Sequence, residues 1–93
     1  MAKIVVQRTN QGEPYAFEVT VWEGGSETRH RVSLRKADYE RLTGGAVSPD
    51  ALVEESFRFL LERESKESIL RSFDLMVIGR YFSSYEDEIA GRL

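Results

Sequence analysis

Two glycines set between two alternating stretches constrain this chain more than any other feature. Tyr15, Phe17, Val19 and Val21 alternate with Ala16, Glu18, Thr20 and Trp22. Beyond Glu23-Gly24-Gly25-Ser26, the residues Thr28, His30, Val32 and Leu34 line one face of a second such stretch. Period-two alternation marks a half-buried strand, and a glycine pair supplies the backbone that a tight hairpin turn requires. A turn centred on Gly24-Gly25 sets Trp22 opposite Glu27, Val21 opposite Thr28, Val19 opposite His30, Phe17 opposite Val32 and Tyr15 opposite Leu34. The other face then pairs Glu18 with Arg31 and Thr20 with Arg29, a favourable arrangement of charge. A slip of one residue puts apolar side chains against charged ones along the whole ribbon, so the register is strongly specified.

A ribbon with one apolar face needs a cover, and residues 48–63 supply it. Ser48 caps the first turn, Pro49 sits where a missing N–H costs nothing, and Asp50 faces the positive end of the helix dipole. Leu52, Val53, Ser56, Phe57, Leu60 and Leu61 recur at helical spacing in a stripe wide enough to lie on a sheet. Glu54 and Arg58 pair at i,i+4 on the polar side.

The flanking segments are shorter. Lys3 to Arg8 is β-branched and weakly alternating, a first strand, and Thr9 to Pro14 is turn chemistry. Arg35 to Thr43 reads as a short helix stopped by Gly44-Gly45, with Tyr39 and Leu42 on one side. Ser65 is placed to cap a helix over 66–72 that buries Ile69, Leu70 and Phe73. Asp74 is placed to cap another over 75–82, and Ser83 with Glu86 to form a capping box before 85–92. The expected fold is α+β: a three-stranded antiparallel meander (1–34) packed on one long helix, then short C-terminal helices (35–93), all in one domain.

The composition excludes more than it assigns. With 41% apolar and 31% charged residues the chain is too apolar to be disordered. It has no cysteine, so no disulfide, thiolate nucleophile or cysteine-held zinc is expected, and a reducing cytoplasm fits. No apolar run approaches the roughly 20 residues that span a bilayer, and the first residues turn polar too soon for a signal peptide. No membrane partner is expected. The net charge of −3 divides into about +1 over residues 1–48 and −4 over 49–93, which argues against wholesale coating of nucleic acid.

The segments Asp38-Tyr39-Glu40-Arg41-Leu42-Thr43-Gly44-Gly45, Ser48-Pro49, Glu67 to Leu75 and Ile78 to Glu86 together resemble a group of small uncharacterised bacterial proteins of similar length. The likeness covers roughly residues 30–90. It implies a bacterial cytosolic chain and brings no activity, cofactor or site with it.

No motif dictates a chemistry. His30 is the lone histidine and lies on the inward face of the hairpin, a poor metal ligand by itself and better explained as structural. There is no nucleophile elbow and no phosphate loop, and Glu86-Asp87-Glu88 point around a helix rather than converging. No catalytic, cofactor or metal residue is expected, and the chain reads as a non-enzyme. Two binding surfaces remain. Phe59 falls beside the main stripe of the long helix, and Leu75, Met76, Val77 and Ile78 point around a full turn, followed at once by Tyr81, Phe82 and Tyr85. A domain this small has limited interior, so Phe59, Met76, Val77, Tyr81, Phe82 and Tyr85 form the expected site for a protein partner or for self-association. The alternative is a nucleic-acid surface on the outer sheet face, where Trp22 lies among Arg29, Arg31 and Arg35, an aromatic among cations able to stack and hold single-stranded RNA.

Overall fold

The computed structural model of the chain describes residues 2–93. Strands β1 (Lys3–Asn10), β2 (Tyr15–Glu23) and β3 (Ser26–Leu34) form an antiparallel meander. The hairpin has the register that the glycine pair dictates, from Trp22 opposite Glu27 to Tyr15 opposite Leu34. Gly24 and Gly25 hold φ of 65° and 80°, the left-handed region that a side chain would strain. Phe17, Val19, Val21, Val32 and Leu34 are buried on one face, whereas Trp22, Arg29 and Arg31 are exposed on the other.

Helix α1 (Lys36–Thr43) closes on Gly44, whose N–H donates to the Glu40 carbonyl at 2.7 Å, and its Tyr39 hydroxyl donates to the Val47 carbonyl. Helix α2 (Pro49–Leu61) starts as its sequence dictates. The Ala51 N–H donates to Ser48 Oγ at 3.1 Å, and Asp50 both faces the first turn and pairs with Arg8 at 2.8 Å, tying the helix to β1. Glu54 and Arg58 form the expected surface pair at 3.0 Å.

The sheet is larger than the three strands expected. After a single 3-10 turn, Lys66–Ser68, the chain becomes extended and Ser72–Asp74 joins the sheet as β4, parallel to β3 and beside it. The order is β1-β2-β3-β4, a mixed four-stranded sheet. No helix forms over 66–72, because backbone and side-chain donors on β3 capture this segment. The Arg31 N–H donates to the Arg71 carbonyl at 2.7 Å, and His30 Nδ1 lies 2.7 Å from the Leu70 carbonyl. Ile69 is buried as expected, but Leu70 is turned outward.

Asp74 then caps the next turn: its Oδ2 accepts from the Met76 N–H at 3.1 Å, while Oδ1 accepts from Ser33 Oγ at 2.7 Å. A 3-10 turn (Leu75–Val77) runs into helix α3 (Ile78–Tyr81), and helix α4 (Tyr85–Arg92) ends the chain. The capping box expected from Ser83 and Glu86 does not form, since Ser84 occupies the cap position and no side chain bonds there. No described helix is long and apolar enough to cross a membrane.

Candidate functional site

The six residues expected to meet a partner separate into three environments, and the cause lies in α2. At roughly 100° per residue its buried positions sweep a wide arc, from Phe57 on one edge through Val53, Leu60, Ser56 and Leu52 to Phe59 on the other. The sheet covers only part of it. Phe57 lies against His30 (ring centroids 5.3 Å) and Phe73 (6.0 Å), while α4 folds back over the Phe59 edge. Phe59 and Tyr85 are both 0% exposed and meet edge to face at 5.3 Å. They belong to the core and present nothing to a partner, contrary to the sequence expectation.

A buried hydrogen-bond chain fixes that contact. Ser56 Oγ lies 2.7 Å from the Leu52 carbonyl and 2.7 Å from the Tyr85 hydroxyl. The serine proton goes to the carbonyl, which can only accept, so the tyrosine donates to the serine. Burial raises the Tyr85 phenol well above its ordinary value, so the donor proton is retained throughout the accessible range. Charge closes the cluster from outside. The Arg63 guanidinium lies 3.7 Å from the centre of the Phe59 ring and that of Arg92 5.8 Å, and both arginines are held by glutamates, Arg63 by Glu88 and Glu62 and Arg92 by Glu62.

Met76 is half-buried beside α1, where its sulfur accepts from Arg41 at 3.3 Å, and Arg41 is itself paired with Glu86. Val77, Tyr81 and Phe82 do converge. With Ile69, Leu70 and Phe73 they line an open apolar groove of about 170 Å³ at the C-terminal end of α2. Its rims are Leu70 (46% exposed) and Tyr81 (69% exposed), two of the four large apolar side chains that are exposed among the described residues. Its one acidic wall residue is Glu64, whose carboxyl is pushed above the usual carboxylate range because the apolar walls displace water. No described ion pair or hydrogen bond includes the side chain of Glu64. Sequence reasoning found three of these residues through their apolar character. It missed Leu70 and Glu64, because the outward turn of residue 70 is set by β4, an element too short to show a periodicity.

His30 is the element that holds the groove wall. It is 1% exposed, with Nδ1 on the Leu70 carbonyl and Nε2 2.8 Å from Thr28 Oγ1. A carbonyl cannot donate, so Nδ1 carries the proton and Nε2 accepts from the threonine. Burial holds the imidazole below its ordinary value, with Arg71 adding to the effect. Its structural role is therefore to pin residue 70.

The alternative surface is built from the outer faces of β1, β2 and β3. Trp22 is 45% exposed and lies beside Lys3 and Glu27. Arg29 is paired with Glu27 at 2.9 Å and Arg31 is opposite Glu18, so two of its cations have acidic neighbours, while Arg35 lies beyond the end of β3 with Lys36. Among the described residues no three carboxylate, histidine or cysteine side chains gather closely enough to hold a metal ion. Comparison of the chain with protein-family models, with curated proteins and with solved structures finds no match.

Proposed function

We propose that this chain is a non-catalytic protein-interaction module of the bacterial cytoplasm whose docking site is the groove between α2, β4 and α3. One observation carries the reading: a domain that buries nearly all its large apolar side chains leaves two of them, Leu70 and Tyr81, on the rims of one cleft with a carboxylate lacking a counter-charge. Exposed apolar surface grouped around a concavity marks a docking site more often than scattered exposure does. Selection of random peptides against the immobilised chain tests it. The enriched peptides are expected to combine an aromatic or leucine anchor with Lys or Arg and to lose binding to a Val77→Asp variant. Peptides that bind that variant equally well defeat the proposal.

A second reading rests on Trp22, which is exposed beside Lys3 and diagonal to Arg29 on the outer sheet face, with Arg31 further along β3. In that reading the face holds single-stranded nucleic acid by stacking and phosphate contacts. Trp22 is the only tryptophan, so its fluorescence reports the event directly. Quenching by oligonucleotide that weakens steeply with salt supports it, and fluorescence indifferent to oligonucleotide eliminates it.

A further inference from the structure

The outer face of the sheet gains an arginine that belongs to none of the three meander strands. His30 Nδ1 donates to the Leu70 carbonyl and the Arg31 N–H donates to the Arg71 carbonyl, each at 2.7 Å, so residue 71 is fixed beside β3. There Arg71 and Ser72 line a shallow concavity together with Glu18, Arg29 and Arg31. All three arginines are exposed. Arg29 gives only its Nε to Glu27, and no described ion pair includes Arg31 or Arg71. Asp74, further along the face, already accepts from Ser33 Oγ and from the Met76 N–H. Glu18 is therefore the one acid lining the concavity against three guanidinium groups, in a chain whose net charge is −3.

A local excess of cations on an acidic chain selects an anion, and the spacing selects its kind. Arg29 and Arg31 are two residues apart on one strand, roughly 7 Å, a step that one nucleotide of an extended single strand spans. Trp22 pairs with Glu27, one such step before Arg29. Val5 is diagonal to Trp22, and at 41% and 45% exposure the two offer apolar surface for a base next to cations for its phosphates. We propose that a single-stranded nucleic acid crosses this face with a base stacked on Trp22, one phosphate at Arg29 and the next held between Arg31 and Arg71. This rests on the second reading above and assigns the phosphate-binding groups, Arg71 among them. Guanidinium suits the role because its planar fork meets two phosphate oxygens at once. Glu18, opposite Arg31 in the register, repels the incoming phosphate and limits the affinity.

Fluorescence anisotropy of a dye-labelled oligothymidylate, titrated with the chain at several salt concentrations, tests the proposal. The Arg71 side chain has no described partner and its carbonyl bond is made by the backbone, so Arg71→Ala is expected to keep the wild-type melting temperature. It is expected to weaken binding about fivefold or more and to flatten the slope of log affinity against log salt by about 0.7, the share of one phosphate on a single strand. Arg71→Lys is expected to restore the slope, Glu18→Gln to tighten binding about threefold, and Trp22→Leu to weaken it about fivefold or more. A wild type that binds while Arg71→Ala keeps its affinity and slope overturns the role of Arg71 and leaves the second reading standing. Inorganic polyphosphate that displaces the oligonucleotide equally well per phosphate, with Trp22→Leu binding as the wild type does, overturns nucleic acid as the occupant. A wild type that binds no oligonucleotide at low salt overturns both.

Discussion

Two apolar clusters share the C-terminal end of α2 and Phe82, which touches both, yet one is sealed and the other is open. Around Phe59 and Tyr85, helix α4 supplies a lid, and Arg63 and Arg92 lie over the ring with their charges tied to Glu62 and Glu88. Around Val77 and Tyr81 no element folds back among the described residues, and no described ion pair joins Glu64 to a guanidinium. The residue types are alike; the difference is that ion-paired arginines convert an aromatic face into a finished surface. An open apolar cleft with an unmatched carboxylate is, by the same logic, unfinished in the single chain. The contrast separates residues that hold the domain together from the exposed residues on which the proposed docking rests.

Substitutions on the two sides of that boundary break or sharpen the contrast. Phe59→Ala removes a fully buried ring between α2 and α4 and is expected to cost about 3–5 kcal/mol in denaturant unfolding, with the largest loss of protection from amide exchange in α4. A cost below about 1 kcal/mol means that the cluster is not core.

Replacing His30 by Phe strands the Leu70 carbonyl and the Thr28 hydroxyl at an expected cost of about 1–3 kcal/mol. The same variant alters pH dependence. The folded imidazole sits below its reference value of 6.5, so between that value and its lowered folded value the unfolded chain binds more protons. Wild-type stability therefore falls as pH drops below 6.5 and levels off once the folded ring protonates. The variant is expected to lose this component, leaving only the carboxylate titrations at lower pH.

Tyr85→Phe removes the donor to Ser56 but keeps the ring, so about 1 kcal/mol is expected, with the Ser56 bond to Leu52 intact. The smallest effects belong to the open side. Tyr81→Ala is expected to change stability by less than ~0.5 kcal/mol. Glu64→Gln is expected to stabilise the isolated chain slightly at neutral pH: burial raises the folded carboxyl above its ordinary value, so its ionised form is disfavoured as pH rises past the usual carboxylate range.

How far the residues foretold this arrangement depended on the range of the forces involved. The hairpin was legible down to single pairs because alternation, turn chemistry and cross-strand charge all gave one register, and Glu18 and Arg31 do lie opposite each other on the outer face. The start of α2 was legible because Ser48, Pro49 and Asp50 act locally. The segment from Ser65 to Asp74 was not. Its serines suggest helix caps, but its course is decided by His30 and the Arg31 N–H, about 40 residues away in the chain. Phe59 was misplaced for a related reason: helical spacing gives the edge of an apolar arc, and only the return of α4 shows that the edge is covered. The groove was half legible, as a cluster of apolar names; its shape and its acidic wall follow from β4.

The account stands most directly on which atoms fill the cleft. Isotope-filtered nuclear Overhauser spectra of the labelled chain with an unlabelled selected peptide report contacts between the two molecules only. The account predicts cross-peaks from the aromatic or leucine anchor of the peptide to the Ile69 and Val77 methyls of the groove, lost on Val77→Asp. Intermolecular peaks confined to β1, at Val5, or the absence of any at saturating peptide, would contradict it.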